Sequence, residues 1–309
     1  MIYEVGTNKS FNKLSERLRL KGVKNCDFML ALFNKDLIGV DPYGDLSEDQ
    51  KKAIKEECIN NIWYFFREVV KISLETGDKI PYKLNEANLE LIYSYTRGYS
   101  TWTTSPRGTL ATATVVLLIA HHMMERYNNI YAITRPYRVG LISRSKIQAD
   151  EIKFHISVIL KNLPSYIIDD ECALSIMDSI VTYECEDEFQ ALEIRKISKT
   201  LECINYYIDA EYIPAINKLY VPGALSFYTS VISDDAYING VFDVLNQSIP
   251  FSKHMYDSGL SKVCDLIHIK KQLCELGHHE IEYDEMCQHM NYDEDYIRRE
   301  ILLERRLSL

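Results

Sequence analysis

The chain has 309 residues, 47% of them hydrophobic, with a net charge of −10 and a pI near 5.4. That is enough apolar material for one large α/β domain or two modest ones, and it excludes wholesale disorder. No run of about 18 uninterrupted apolar residues occurs, and the first residues lack an apolar signal core, so neither a membrane span nor secretion is expected. An acidic chain also gives no compositional support for non-specific DNA binding. The eight cysteines never form a C-x-x-C pair, so they read as reduced, buried small hydrophobes rather than zinc ligands.

Residues 1–50 read as an N-terminal extension: a basic amphipathic stretch from Lys9 to Lys24, then FMLALFN, then turn signals in DPYGDLSED. Ser47 and Gln50 form a capping-box pair that starts a helix, which the pattern carries through NNIWYFFREVVKI before Gly77 and Pro81 end the region. KLNEANLELIYSYTRG predicts a helix that stops near Gly98. A β-rich run from Tyr99 to Thr104 enters a Ser-Pro-Arg-Gly-Thr turn, and an apolar helix from Ala113 to Met124 leaves it. RVGLISRS (138–145) reads as a buried strand. SKIQADEIKFHISVILKNLP (145–164) reads as a helix with Ile147, Ile152, Ile156, Ile159 and Leu160 as its apolar positions, ended by Pro164. The stretch from Asp178 to Thr200 mixes strand and helix signals. INYYID (204–209) and SFYTSVIS (226–233) read as strands, and the chain from Phe242 onward as largely helical, closing in DEDYIRREILLERRL with i,i+4 charge pairs. Strands alternating with helices predict a parallel sheet flanked by helices.

The strand–turn–helix unit at 99–125 has the layout of a phosphate-binding loop. Such a loop turns its backbone N–H groups toward phosphate, aided by the positive end of the following helix, and adds one lysine charge. Here Leu110 stands where a glycine is expected and Ala111 where the lysine is expected. Leucine in a positive-φ position costs about 1–2 kcal/mol or forces another loop shape, and alanine supplies no charge.

Several segments, in order from about residue 56 to the last, resemble the ATPase domain of the bacteriophage large terminase subunit. They are NNIWYFFREVVKI (60–72), YKLNEANLELI (82–92), the loop Arg107-Gly108-Thr109-Leu110-Ala111-Thr112-Ala113 with its apolar helix, INYYIDAEYIP (204–214), SFYTSVIS (226–233), IPFSKHMYD (249–257) and YIRREILLERR (296–306). The resemblance implies an α/β P-loop NTPase of the ASCE type, with a central, mainly parallel sheet. It would span residues 51–309, after the 1–50 extension, with the family's nuclease domain absent. It implies ATP and Mg2+ as cofactors. Asn85 falls where the family places the adenine-side glutamine; Gly108, Thr109, Leu110, Ala111 and Thr112 fall on the phosphate loop, and Arg107 beside the γ-phosphate. Aligned on Glu211-Tyr212-Ile213-Pro214, the magnesium aspartate position falls on Ile208 and the catalytic glutamate position on Asp209. Asp209 and Glu211 alternate along a strand and share one face, so they either bind magnesium, together with Thr112, or form a solvated edge. Thr229 and Ser230 fall in the coupling segment.

Double-stranded DNA, a portal, a small terminase, a homo-oligomeric ring and a nuclease domain on another chain are the partners the resemblance implies, in the cytoplasm of an infected bacterium. Losing the loop lysine should lower turnover by orders of magnitude. Three readings therefore stand: a packaging ATPase, a terminase-derived pseudo-ATPase, and an α/β interaction protein. Elsewhere, His121-His122 are adjacent on a helix and about 100° apart, which suits packing rather than chelation. His278-His279 read as a solvated turn. Ser105, Ser143 and Ser145 lack a nucleophile-elbow context. Arg138, Arg144 and Lys146 read as surface charges flanking a strand end.

Overall fold

The computed structural model describes residues 9–20, 22–73, 79–82, 84–104, 111–128, 139–143, 145–184, 203–207, 226–230, 249–250, 266–270 and 293–303. Its first helix, α1 (Lys9–Leu20), buries Phe11, Leu14 and Leu18 along one stripe, the i, i+3, i+7 spacing of an amphipathic helix. This stripe belongs to the same hydrophobic cluster as the rest of the described core. Helix α2 (Glu48–Asn60) opens with the predicted box: Ser47 Oγ accepts from the Gln50 N–H, and Gln50 Oε1 accepts from the Ser47 N–H at 2.9 Å.

The long helix predicted from Ser47 into FREVVKI breaks at Asn61. Asn61 leaves helical geometry and caps the next turn, α3 (Ile62–Tyr64), by accepting from the Tyr64 N–H at 3.2 Å. Its Nδ2 donates to the Ala31 carbonyl and to buried Glu57, so tertiary partners hold the break. A wide π turn, Phe65–Val69, follows and buries Phe65, Phe66, Arg67 and Val69. The chain then becomes β1 (Lys71–Ser73), paired antiparallel with β2 (Lys79–Pro81), where the sequence pattern had continued the helix.

Helix α4 (Glu86–Thr96) ends as expected at Gly98, whose φ of +75° is a conformation that L side chains rarely adopt. Two of its buried carboxylates, Glu86 and Glu90, meet Arg17 of α1. The chain continues into β3 (Ser100–Thr104) and then α5 (Ala111–Asn128). In α5 every residue from Thr114 to His121 is buried, as befits a helix that is apolar nearly all round. It packs against α2, α4, α6 (Lys146–Asn162) and α7 (Asp170–Asp178). Helix α7 was not predicted. In α6, Ile156 and Leu160 are buried as expected, but Ile147 is 79% exposed.

Six further strands join β3 in one sheet: β4 (Val139–Ser143), β5 (Ile180–Glu184), β6 (Cys203–Tyr207), β7 (Ser226–Ser230), β8 (Ile249–Pro250) and β9 (Leu266–Lys270). The order is β5-β4-β6-β7-β3-β9-β8, and every neighbouring pair is parallel. The predicted α/β class with a parallel sheet is therefore present. After Phe242, where the sequence predicts a largely helical chain, two strands it did not single out are present: β8 and β9 lie there, and β9 pairs with β3 along its whole length, from Ser100–Leu266 to Thr104–Lys270. A five-residue apolar strand flanked by charged residues carries no periodicity that separates it from a helical turn. The last described helical piece is α8 (Glu294–Tyr296) with the π turn Ile297–Ile301. Among the described residues, no helix is long and apolar enough to cross a membrane.

Candidate nucleotide site

Because the sheet is parallel, all its carboxyl ends lie along one edge, where open α/β sheets bind their ligands. Strand β3 reaches that edge near the centre of the sheet. Strand β7 lies beside it in register, Thr103 opposite Thr229 and Thr104 opposite Ser230. On the far side of β7 lies β6, with Tyr206 opposite Tyr228. At the usual strand spacing β3 and β6 are roughly 10 Å apart. The chain leaves β3 for residues 105–110 and α5, and leaves β6 at Tyr207, two positions before Asp209. Arg107, Gly108, Thr109, Leu110, Ile208, Asp209 and Glu211 lie outside the described residues. Thr229 and Ser230 lie in β7, beside the strand that enters the loop.

Ala111 is the first residue of α5. Thr112 is exposed and lines a half-open cleft of ≈ 620 Å³ with Ala113 and Val116 of α5, Ile152 and Ile159 of α6, and Lys71 of β1. An exposed threonine hydroxyl at a helix start suits a metal-bound phosphate, because the first N–H groups and the helix dipole favour negative charge there. The one cation that the loop pattern calls for is missing from position 111, so the residues present fit the group through dipole and hydroxyl alone. Among the described residues, no group of three or more His, Cys, Asp or Glu is placed to hold a metal ion.

Asn85 sits at the start of α4, where its Oδ1 accepts from the Asn88 N–H at 3.0 Å as the helix N-cap. Asn88, one turn into α4, is linked to α5 through Tyr82. Its Nδ2 donates to the Tyr82 hydroxyl at 2.9 Å, and that hydroxyl lies 2.5 Å from Thr114 Oγ1. All three side chains are buried. The sequence singled out none of them, because a hydrogen bond between residues 32 positions apart leaves no local pattern. On β3, Thr101 and Thr103 share one face, and their buried hydroxyls have no hydrogen-bond partner among the described residues.

The two helix histidines pack, as their spacing implies. His121 Nε2 lies 3.0 Å from the Cys58 carbonyl oxygen, and burial pushes the imidazole down to about 4. His122 Nδ1 lies 2.6 Å from the Tyr95 hydroxyl, and burial, with Arg126 and His121 nearby, lowers it to about 3. His278 and His279 lie outside the described residues.

No protein-family profile and no curated protein matches the sequence. Solved structures with a similar course of chain include large terminases. One is from a thermophilic bacteriophage, in complex with ADP: 9% identity, TM-score 0.44, over 71% of this chain and 53% of that one. A second crystal form of it has a TM-score of 0.40 at 10% identity. Another is the large terminase ATPase domain of a Thermus phage, with 10% identity and a TM-score of 0.46, over 72% of this chain and 94% of that one. The chain thus spans about half the length of the first of these proteins.

Proposed function

We propose that this chain is a terminase-like nucleotide-binding domain of a phage DNA-packaging motor, built on a P-loop NTPase fold of the ASCE type, whose hydrolysis is impaired. The observation that carries the reading is the relation of three parallel strands. The strand entering the loop and the strand leading to Asp209 flank β7, so both chains leave the same sheet edge two strand spacings apart. That arrangement supports a shared phosphate and metal site, and the ordered sequence segments supply its chemistry.

In this reading the first turn of α5 and the residues before it receive the phosphates, with Gly108 and Thr109 in the turn and Arg107 toward the γ-phosphate. Thr112 and Asp209 hold Mg2+, and Glu211 is a second acidic candidate for orienting the attacking water. Bound magnesium supplies charge neutralisation of the phosphoryl oxygens. Asn85 lies on the base side, and Thr229 and Ser230 link the site to the rest of the sheet. Ala111 offers no ammonium group and Leu110 disfavours the open loop, so binding is weak and turnover low. DNA, portal, small terminase and further copies of the chain are the partners this reading assigns.

Thermal unfolding of the natural chain and of a Leu110→Gly/Ala111→Lys variant, with and without millimolar ATP and magnesium, tests it. The variant should gain nucleotide-dependent stabilisation, about 2.7 kcal/mol at a hundredfold excess over Kd, and the natural chain much less. No gain in the variant overturns the reading. The competing reading, a non-catalytic assembly partner descended from such a motor, rests on the same two residues; it is favoured if the variant binds ATP but releases no phosphate.

A further inference from the structure

We infer that Tyr82 is a positioning residue for the start of α5, locking the helix turn that carries Thr112 onto α4 through a buried relay of hydrogen bonds. The inference rests on the nucleotide reading for its purpose, though not for its geometry. The Asn88 amide nitrogen is only a donor, so at 2.9 Å the Tyr82 oxygen accepts from it. The same hydroxyl shares a hydrogen bond with Thr114 Oγ1, 2.5 Å away, in which either oxygen can be the donor. Thr114 is 0% exposed and Asn88 1% exposed, so water does not replace either contact.

The relay acts on the helix face opposite the cleft. Residues two apart on a helix point about 200° apart, so Thr114 faces the core while Thr112 lines the cleft. Fixing Thr114 therefore fixes the rotation and height of the turn that presents Thr112 and the opening N–H groups. The tyrosine is itself well held: its ring packs at 5.7 Å against Phe66, and its backbone N–H donates to the Val70 carbonyl at 3.1 Å. Three chain segments (the π turn, the start of α4 and the start of α5) thus meet at one phenol. In a site that lacks the loop lysine, pre-organisation of the remaining dipoles carries a larger share of any phosphate binding.

The test uses the full chain with Tyr82→Phe, Thr114→Val and Thr114→Ser, and Ile176→Val in α7 as a control that loosens the core elsewhere. Hydrogen exchange is read at the amides of Val115 to Leu118, which bond back to the first turn. Tyr82→Phe and Thr114→Val should speed these amides about tenfold or more, with little change at the carboxyl-terminal end of α5. Thr114→Ser, which keeps the hydroxyl, should restore slow exchange. Uniform acceleration along α5, like that of the control, or no acceleration at all, overturns the inference. ATP affinity measured in the Leu110→Gly/Ala111→Lys background separates the two claims. Loss of affinity in Tyr82→Phe beyond that of the control supports positioning of the site. A background that binds no ATP removes the nucleotide reading, while the exchange pattern still decides whether Tyr82 holds the turn.

Discussion

His121 Nε2 donates to the Cys58 carbonyl at 3.0 Å, tying the centre of α5 to α2 through a neutral imidazole in the core. Burial holds this group near 4, below its ordinary value of 6.5. In the window between those two values the unfolded chain binds a proton that the folded chain refuses. Stability is therefore full above about pH 6.5 and is lost progressively as pH falls toward 4, by on the order of 3 kcal/mol for this residue. His122 acts in the same direction, and Glu125, raised by burial, opposes it weakly near the lower end. Urea unfolding at pH 7.5, 6 and 5 should show a steady fall, and His121→Gln should lessen it, leaving the share that His122 carries. An equal slope in the variant would assign the pH dependence to other groups.

Arg17 ties α1 to α4 by pairing with two carboxylates, Glu86 and Glu90, of which Glu90 is 1% exposed. Removing the guanidinium takes a charged partner from a buried carboxylate, whereas removing both members does not. Because Arg17 is itself partly exposed and Lys13 stands 3.8 Å from Glu86, Arg17→Ala should cost about 2 kcal/mol rather than the 3–5 of a fully buried pair. Adding Glu90→Gln should recover part of that loss. Chemical denaturation of the two variants measures both, and a double variant no better than the single one would contradict the account.

Ser47→Ala removes the cap of α2 and leaves the Gln50 N–H without its acceptor, at a cost of about 1 kcal/mol. Gln50→Ala should cost less, since the Ser47 N–H is exposed to water once Gln50 Oε1 is gone. Equal midpoints for Ser47→Ala and the natural chain would mean that α2 is held by packing alone.

What the sequence made legible was local. The Ser47–Gln50 box, the stop at Gly98, and the strand at 100–104 and helix at 111–128 on either side of the predicted turn each have their cause within a few residues, and each is found where the pattern put it. What it hid was set by distant partners. Asn61 breaks a continuous helical pattern because Ala31 and Glu57 bind its amide. Strand β9 looked helical because its partner, β3, lies more than 150 positions earlier. At the site, the resemblance drew attention to Asn85, which caps a helix, while a buried hydrogen-bonded link to the first turns of α5 runs through Asn88 and Tyr82. Ile147 fits the apolar spacing of α6 yet faces outward, because spacing alone does not say where the neighbouring elements end.

The most direct test of the account is a crystal structure of the Leu110→Gly/Ala111→Lys chain with ADP and magnesium. The account predicts the diphosphate at the amino-terminal end of α5, with Thr112 and Asp209 both facing the metal from either side of β7. A nucleotide bound elsewhere, or an Asp209 turned away from the start of α5, would contradict it.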